Sequence, residues 1–110
     1  MSRHEHRVTE LIAHEAAVFI ARESSGQSLI TVTRALLSSN GEHARVFVSV
    51  FPIAEKAPAM SFLERATGDF RTHLATHARL HPIPKIEFVF DEGEQSRQRL
   101  DELTRGPSGN

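Results

Sequence analysis

Ala66-Thr67-Gly68 is the stretch whose reading decides the fold. It separates two amphipathic patterns, Ala59 to Ala66 and Asp69 to Leu80. A glycine inside a helix costs about 1 kcal/mol against alanine, so its position between two good helical patterns predicts a bend joining two helices. Ala59, Phe62, Leu63 and Ala66 form the apolar stripe of the first pattern, and Phe70, Leu74 and Ala78 continue it in the second. Pro58 falls in the first turn, where its missing N–H is not needed. His81-Pro82-Ile83-Pro84 ends the second pattern, because each proline pushes its predecessor toward extended geometry.

Strand patterns flank this pair. Upstream, Leu29 to Leu37 is rich in β-branched residues, and Ser38-Ser39-Asn40-Gly41 follows as a hairpin turn in which Asn-Gly tolerates positive φ angles. From Ala44 to Phe51 the chain alternates: Ala44, Val46, Val48 and Val50 point one way, Arg45, Phe47, Ser49 and Phe51 the other. The second face is either ordinarily packed or a contact surface through Phe47 and Phe51. Downstream, Ile86, Phe88 and Phe90 alternate with Glu87 and Val89 in a third strand. A strand, helices and a strand in succession predict a parallel pair with a right-handed crossover, hence a mixed sheet with the helices on one face. Before all of this, Val8, Leu11, Ile12, Ala16, Phe19 and Ile20 recur at helical spacing from His6 to Arg22, and Ser24-Ser25-Gly26 stops that helix. Glu94 to Leu103 has a weak helical pattern through Leu100 and Leu103.

The expected architecture is therefore α+β, in the order α-β-β-α-kink-α-β with a three-stranded mixed sheet. Residues 4–103 are read as one domain and 104–110 as a disordered tail. A chain of 110 residues can bury roughly 65% of the surface its unfolded form exposes, so it needs no metal or disulfide staple. There is no cysteine, which removes disulfides and thiolate zinc sites. No apolar run approaches a membrane span, and Met1-Ser2-Arg3-His4-Glu5-His6 has no apolar signal region behind it. These features read as a cytoplasmic protein.

Net charge is −1 with histidines neutral, but the distribution is uneven. Between residues 65 and 85 the four cations Arg65, Arg71, Arg79 and Lys85 are opposed only by Asp69, a net +3, while the last twenty residues are net −2, five acidic against three basic. His73, His77 and His81 lie four apart, a spacing that stacks side chains on one helical face. Pro82 unwinds the helix at His81 and His77 shares the wheel side of Phe70 and Leu74, so they read as packed or surface histidines and not as a metal site. There is no nucleophile motif, no phosphate-cradling glycine loop, and no second histidine after His14-Glu15 to make a zinc-protease helix. An enzyme is not expected, and no cofactor.

Taken together, the element order and the break at Ala66-Thr67-Gly68 resemble a type II KH domain, and in particular the ribosome-binding factor A family, from Arg7 to Leu103. Ala66-Thr67-Gly68 is similar to that family's Ala-x-Gly kink, with Arg71, Arg79 and Leu80 flanking it. The segments Gly41-Glu42-His43-Ala44-Arg45-Val46-Phe47-Val48-Ser49-Val50 and Pro84-Lys85-Ile86-Glu87-Phe88-Val89-Phe90-Asp91 resemble its second and third strands. The resemblance implies a small-subunit maturation factor that binds the immature 30S subunit and its 16S rRNA and favours processing of the rRNA 5′ end. It implies no cofactor, no membrane, and a monomer away from the ribosome. The RNA-binding residues it implies are Arg65, Ala66, Thr67, Gly68, Arg71, Arg79 and Lys85. Small residues at the kink would let RNA backbone approach, and a helix starting near Asp69 would aim N–H groups at a phosphate. The other reading is a KH-like module that binds a protein or a regulatory RNA.

Overall fold

The alternating valines of the central strand organise the molecule. Val46, Val48 and Val50 are fully buried, and the apolar stripes of two helices close over them. The computed structural model describes residues 3–105. In it α1 spans Arg3–Glu23, β1 Leu29–Leu37, β2 His43–Phe51, α2 Lys56–His73, β3 Lys85–Phe90 and α3 Glu92–Arg105. The last helix thus includes residues 104 and 105, and the remainder of the expected tail lies outside the described residues.

The sheet order is β1-β2-β3. β1 runs antiparallel to β2, from Leu29 opposite Phe51 to Leu37 opposite Ala44, with an irregularity at Thr33. β2 and β3 are parallel, from His43 opposite Lys85 to Val48 opposite Phe90, so the sheet is mixed as the crossover rule predicts. Ser38 to Glu42 link the hairpin. Gly41 takes φ +75°, and the Asn40 carboxamide oxygen accepts from the Ser38 hydroxyl at 2.7 Å and from the Glu42 N–H at 3.0 Å.

α1 and α2 lie on one face of this sheet and share one core: Ile12, Ala16, Phe19 and Ile20 from α1, Leu63, Ala66, Phe70 and Leu74 from the second helical segment, and Ala44, Val46, Val48 and Ile86 from the sheet. Phe70 is fully buried and its ring sits 5.4 Å from Phe19 and 5.6 Å from Phe88, so one side chain ties both helices to β3. Full burial of such a side chain contributes roughly 1.5–3 kcal/mol.

α3 closes the far end. Where β3 stops, the Val50 N–H has no strand partner and donates instead to Gln95 Oε1 at 3.0 Å. Gln98 reaches the hydroxyl of Ser49, whose side chain is on the sheet face opposite Val48 and Val50.

The expected kink is corrected. Ala66-Thr67-Gly68 lies inside α2, which runs unbroken from Lys56 to His73 and passes into a π-helical turn, Leu74–Ala78. The penalty of one interior glycine is about 1 kcal/mol, and the buried stripe Ala59, Leu63, Ala66, Phe70 and His73 outweighs it, because tertiary packing of an amphipathic face supplies most helical stability. The irregularity falls six residues later. There Arg79 takes the left-handed conformation, φ 53°, at the helix end.

Candidate nucleic-acid interface

A continuous α2 changes what each expected contact residue can do. Ala66 is buried at 8% exposure and packs into the core. The Thr67 hydroxyl donates to the Leu63 carbonyl at 2.9 Å. Gly68 alone of the three is exposed, and a Cβ added there would meet nothing within 4 Å. The N–H groups from Asp69 onward belong to the helix ladder, so no helix N-terminus faces solvent at Asp69 and the phosphate cradle expected there is absent.

The four expected cations separate. Arg65 lies midway along α2 in a hollow shared with Glu23, Ser24, Glu55 and Pro58. Arg71 turns toward the segment before β3, donating from Nε to the Pro84 carbonyl at 3.1 Å and from Nη2 to the Ile83 carbonyl at 3.0 Å. It holds that segment against α2. Arg79 is exposed beyond the helix end, and Lys85 opens β3 with its backbone N–H bonded to the Glu42 carbonyl at 2.9 Å. The structure therefore brings Arg71, Arg79 and Lys85 to the end of the sheet where β3 begins, and leaves Arg65 apart from them.

That same end receives residues the sequence reading passed over. The first turn of α1, the hairpin turn and segment 80–84 enclose a groove of about 480 Å³ lined in part by His4, Val8, Ser39, Asn40, Leu80 and His81. Arg3 and Arg7 lie on the same first turns of α1, exposed. The clustering of Arg3-His4-Glu5-His6-Arg7 was visible in the sequence as a signal, but not what it stands beside.

The three histidines divide in an unexpected way. His73, not His77, is the buried one, at 4% exposure. Its Nε2 lies 2.7 Å from Glu15 Oε1 and its Nδ1 3.3 Å from Arg22 Nη2. An arginine can only donate, so Nδ1 accepts and Nε2 carries the proton toward Glu15. This clasp joins α1 to α2. His77 stacks on the His73 ring at 4.3 Å from the solvent side, because the π-helical turn after His73 widens the helix and moves later residues out of phase. Among the described residues no group of three or more histidine and acidic side chains is placed to hold a metal.

Asp91 has a structural task. It is 9% exposed; its carboxylate accepts from the Thr33 hydroxyl at 2.6 Å and from the Glu94 N–H at 3.0 Å, capping α3. The Thr33 hydrogen bond, then the Glu94 N–H, hold its pKa below the usual carboxylate value; burial opposes them, and Arg34 and Arg97 add to the lowering.

Two helices on one face of a three-stranded mixed sheet, in the order α-β-β-α-β, define a small KH-like α+β module. Comparison with known proteins narrows the class. The family model for ribosome-binding factor A matches residues 4–104. Ribosome-binding factor A of Coxiella burnetii is 32% identical over 105 residues, covering 94% of this chain and 88% of that protein. The crystal structure of ribosome-binding factor A from Thermus thermophilus superimposes with a TM-score of 0.69 at 26% identity, covering 77% of this chain and 93% of that one. A homology model of the Thermus factor, fitted into a cryo-electron-microscopy map of a 30S complex, superimposes at 0.66 and 26% identity, over 84% of this chain and 97% of that one. The chain belongs to the ribosome-binding factor A family.

Proposed function

We propose that this protein binds the immature small (30S) ribosomal subunit in the cytoplasm and assists maturation of 16S rRNA at its 5′ end, acting by binding and not by catalysis. The observation that carries the reading is the family match over residues 4–104, joined to the likeness to a relative whose model is fitted in a 30S complex. No helix among the described residues is long and apolar enough to cross a membrane. The exposed cations on a rigid helix-and-sheet scaffold suit recognition of RNA by shape and phosphate contacts. The exposed side of α2, with Arg65 and Gly68, and the end of the sheet with Arg71, Arg79 and Lys85 are the two surfaces available for it.

Co-sedimentation of the purified protein with small subunits, maturation precursors and whole ribosomes at two salt concentrations tests the reading. Retention on small subunits or precursors that weakens steeply with salt is expected, because phosphate contacts release counterions. Retention on none of the three overturns it. The finer step is tested in cells depleted of the protein, where 16S rRNA with unprocessed 5′ ends should accumulate; normal 5′ ends would remove processing from the role.

A second reading, a KH-like module for a protein partner, is favoured by one observation. Phe51 and Leu29, cross-strand neighbours on the outer sheet face, are 53% and 66% exposed. Binding through that face would barely respond to salt.

A further inference from the structure

The two edges of the sheet differ. β3, the short one at six residues, carries Lys85 and Glu87, charges of the kind that keep an edge from pairing with another chain. β1 is the other edge. It runs nine residues from Leu29 to Leu37 without proline or lysine, and Arg34 is its one charge. An irregularity at Thr33 interrupts it, and the stretch before that is regular.

Backbone bonds on the far side of β2 fix which groups of β1 are unpaired. The Val50 N–H donates to Gln95 and the Val48 carbonyl accepts from the Asp91 N–H, so both residues turn their backbone polar groups toward the β3 side. Across the antiparallel ladder Val50 stands opposite Ile30 and Val48 opposite Val32. Residues directly opposite each other exchange both backbone bonds or neither. Ile30 and Val32 therefore point N–H and C=O away from β2, at an edge with no further strand among the described residues. Each offers a donor and an acceptor, two residues apart along the strand, which is the repeat that an added strand matches.

The space beside this edge suits a peptide chain. On the helix side Ala17 and Ala21, one turn apart on α1, are exposed, so only methyl groups border it there. With Ile20, Ile30 and Val32 they line a hollow of about 580 Å³ that reaches the cross-strand pair Leu29 and Phe51. No ionisable side chain lines it. A phosphodiester chain or a lysine-rich tail would bring charge to a wall with nothing to pair it, whereas an uncharged chain matches both the apolar lining and the backbone ladder.

We propose that the β1 edge and the adjoining flank of α1 form a protein-binding groove that takes an uncharged, extended segment of a small-subunit protein as a fourth strand, paired through Ile30 and Val32. The inference rests on the ribosome-binding reading and adds a protein contact to it. Side chains of the segment alternate, one set entering the hollow against Ala17 and Ala21 and the other lying beside Leu29 and Phe51.

The test compares the free protein with its complex on purified small subunits, by amide exchange in β1 and by affinity across a salt series. In the free protein the Ile30 and Val32 amides should exchange faster than that of Thr31, and in the complex they should slow by about tenfold or more. Ala17→Arg fills the hollow from an exposed helical position and should fold normally by circular dichroism. Its affinity for small subunits should fall by about tenfold, since strand pairing supplies the affinity of such a site. Its salt slope should match wild type and its binding to protein-free 16S rRNA should not weaken, because no phosphate contact is lost. Thr31→Lys, an edge lysine on the strand itself, should act in the same direction. Val18→Arg, about 100° round the helix from Ala17 and also exposed, should bind subunits as wild type does. Unchanged exchange at Ile30 and Val32 in a complex that retains the wild type would overturn the groove and leave the ribosome-binding reading intact. An equal loss in Val18→Arg would reduce the effect to charge, and an equal loss on bare rRNA would make the contact one with RNA; either overturns the groove. Slow exchange at both amides in a free protein of dimeric mass would make the occupant a second copy and overturn it as well. Wild type absent from small subunits would end the ribosome-binding reading, and the partner named here with it.

Discussion

At the end of the sheet where β3 begins, Arg3, Arg7, Arg79 and Lys85 are exposed, with no hydrogen-bond or ion-pair partner for their side chains among the described residues. At the end where β3 stops, Lys56 lies against Glu92 and 4.1 Å over the Phe90 ring, and Arg34 against Asp91 and 4.2 Å over the Phe47 ring. The residue types are the same, and the difference is what the fold places beside them. Paired charges at the second end hold α3 and the outer sheet face in place, and each exposed pair contributes only a few tenths of a kcal/mol. The charges at the first end are exposed to solvent. Net charge, −1 for the whole chain, averages these two and describes neither.

The severest way to break the contrast is to remove what both ends share. Phe70→Ala empties the fully buried contact among α1, α2 and β3 and should destabilise by about 3–5 kcal/mol. In urea titrations followed by circular dichroism, both ends should unfold in one transition. A surviving half would show that they fold separately.

Asp91→Ala acts on one end alone. It removes the cap of α3 and leaves the Thr33 hydroxyl only the Phe47 carbonyl, at 3.3 Å, as acceptor, an expected loss of about 1–2 kcal/mol. Amide exchange should accelerate in α3 while α1 keeps its protection. The pH dependence follows from the lowered pKa. A carboxyl whose folded pKa lies below its unfolded one contributes stability that is fully present above the unfolded value, near 3.9. That contribution is lost as pH falls through the folded value. Between pH 7 and pH 3 the wild type should therefore lose more stability than Asp91→Asn, and equal losses would remove Asp91 as the cause.

The clasp between the two helices is a smaller matter. Glu15→Ala leaves the His73 Nε2–H, buried at 4% exposure, without an acceptor and should lower stability by roughly 1–3 kcal/mol. The double variant Glu15→Ala with His73→Leu should recover part of it, because no polar group is then left unsatisfied. Smallest of all, Gly68→Ala should raise stability by about 1 kcal/mol, since the site is helical and the new methyl meets nothing. A thermal midpoint higher by roughly 4 °C is the expected reading. A lower one would mean that the helix needs its glycine.

Much of the fold was legible in sequence because its signals are local. Ala44, Val46, Val48 and Val50 alternate and are buried; Ile12, Ala16, Phe19 and Ile20 repeat at helical spacing and are buried. Pro82 and Pro84 stop the second helical segment within a few residues of where it ends. Misplaced features were those decided by competition between terms. Gly68 signals a break on propensity alone, and the stripe on either side of it overrides that signal. His77 shares a wheel position with Phe70 and Leu74 in an ideal helix, and the π-helical turn rotates it outward while His73 turns in. For the candidate interface, Arg79 and Lys85 were marked by charge, yet nothing local separated them from Arg65.

The sequence by itself determined the elements, their order and the family, since periodicity, proline and β-branching act over a few residues and survive in any context. Only the tertiary structure decided which charges are free. The parallel pairing of β2 with β3 sets Lys85 beside His43 and brings segment 80–84 against the first turn of α1, so that side chains more than seventy positions apart share one groove. Whether a cation is neutralised depends on a distance of a few ångströms to its neighbour, and distances between remote parts of a chain exist only once the chain has folded.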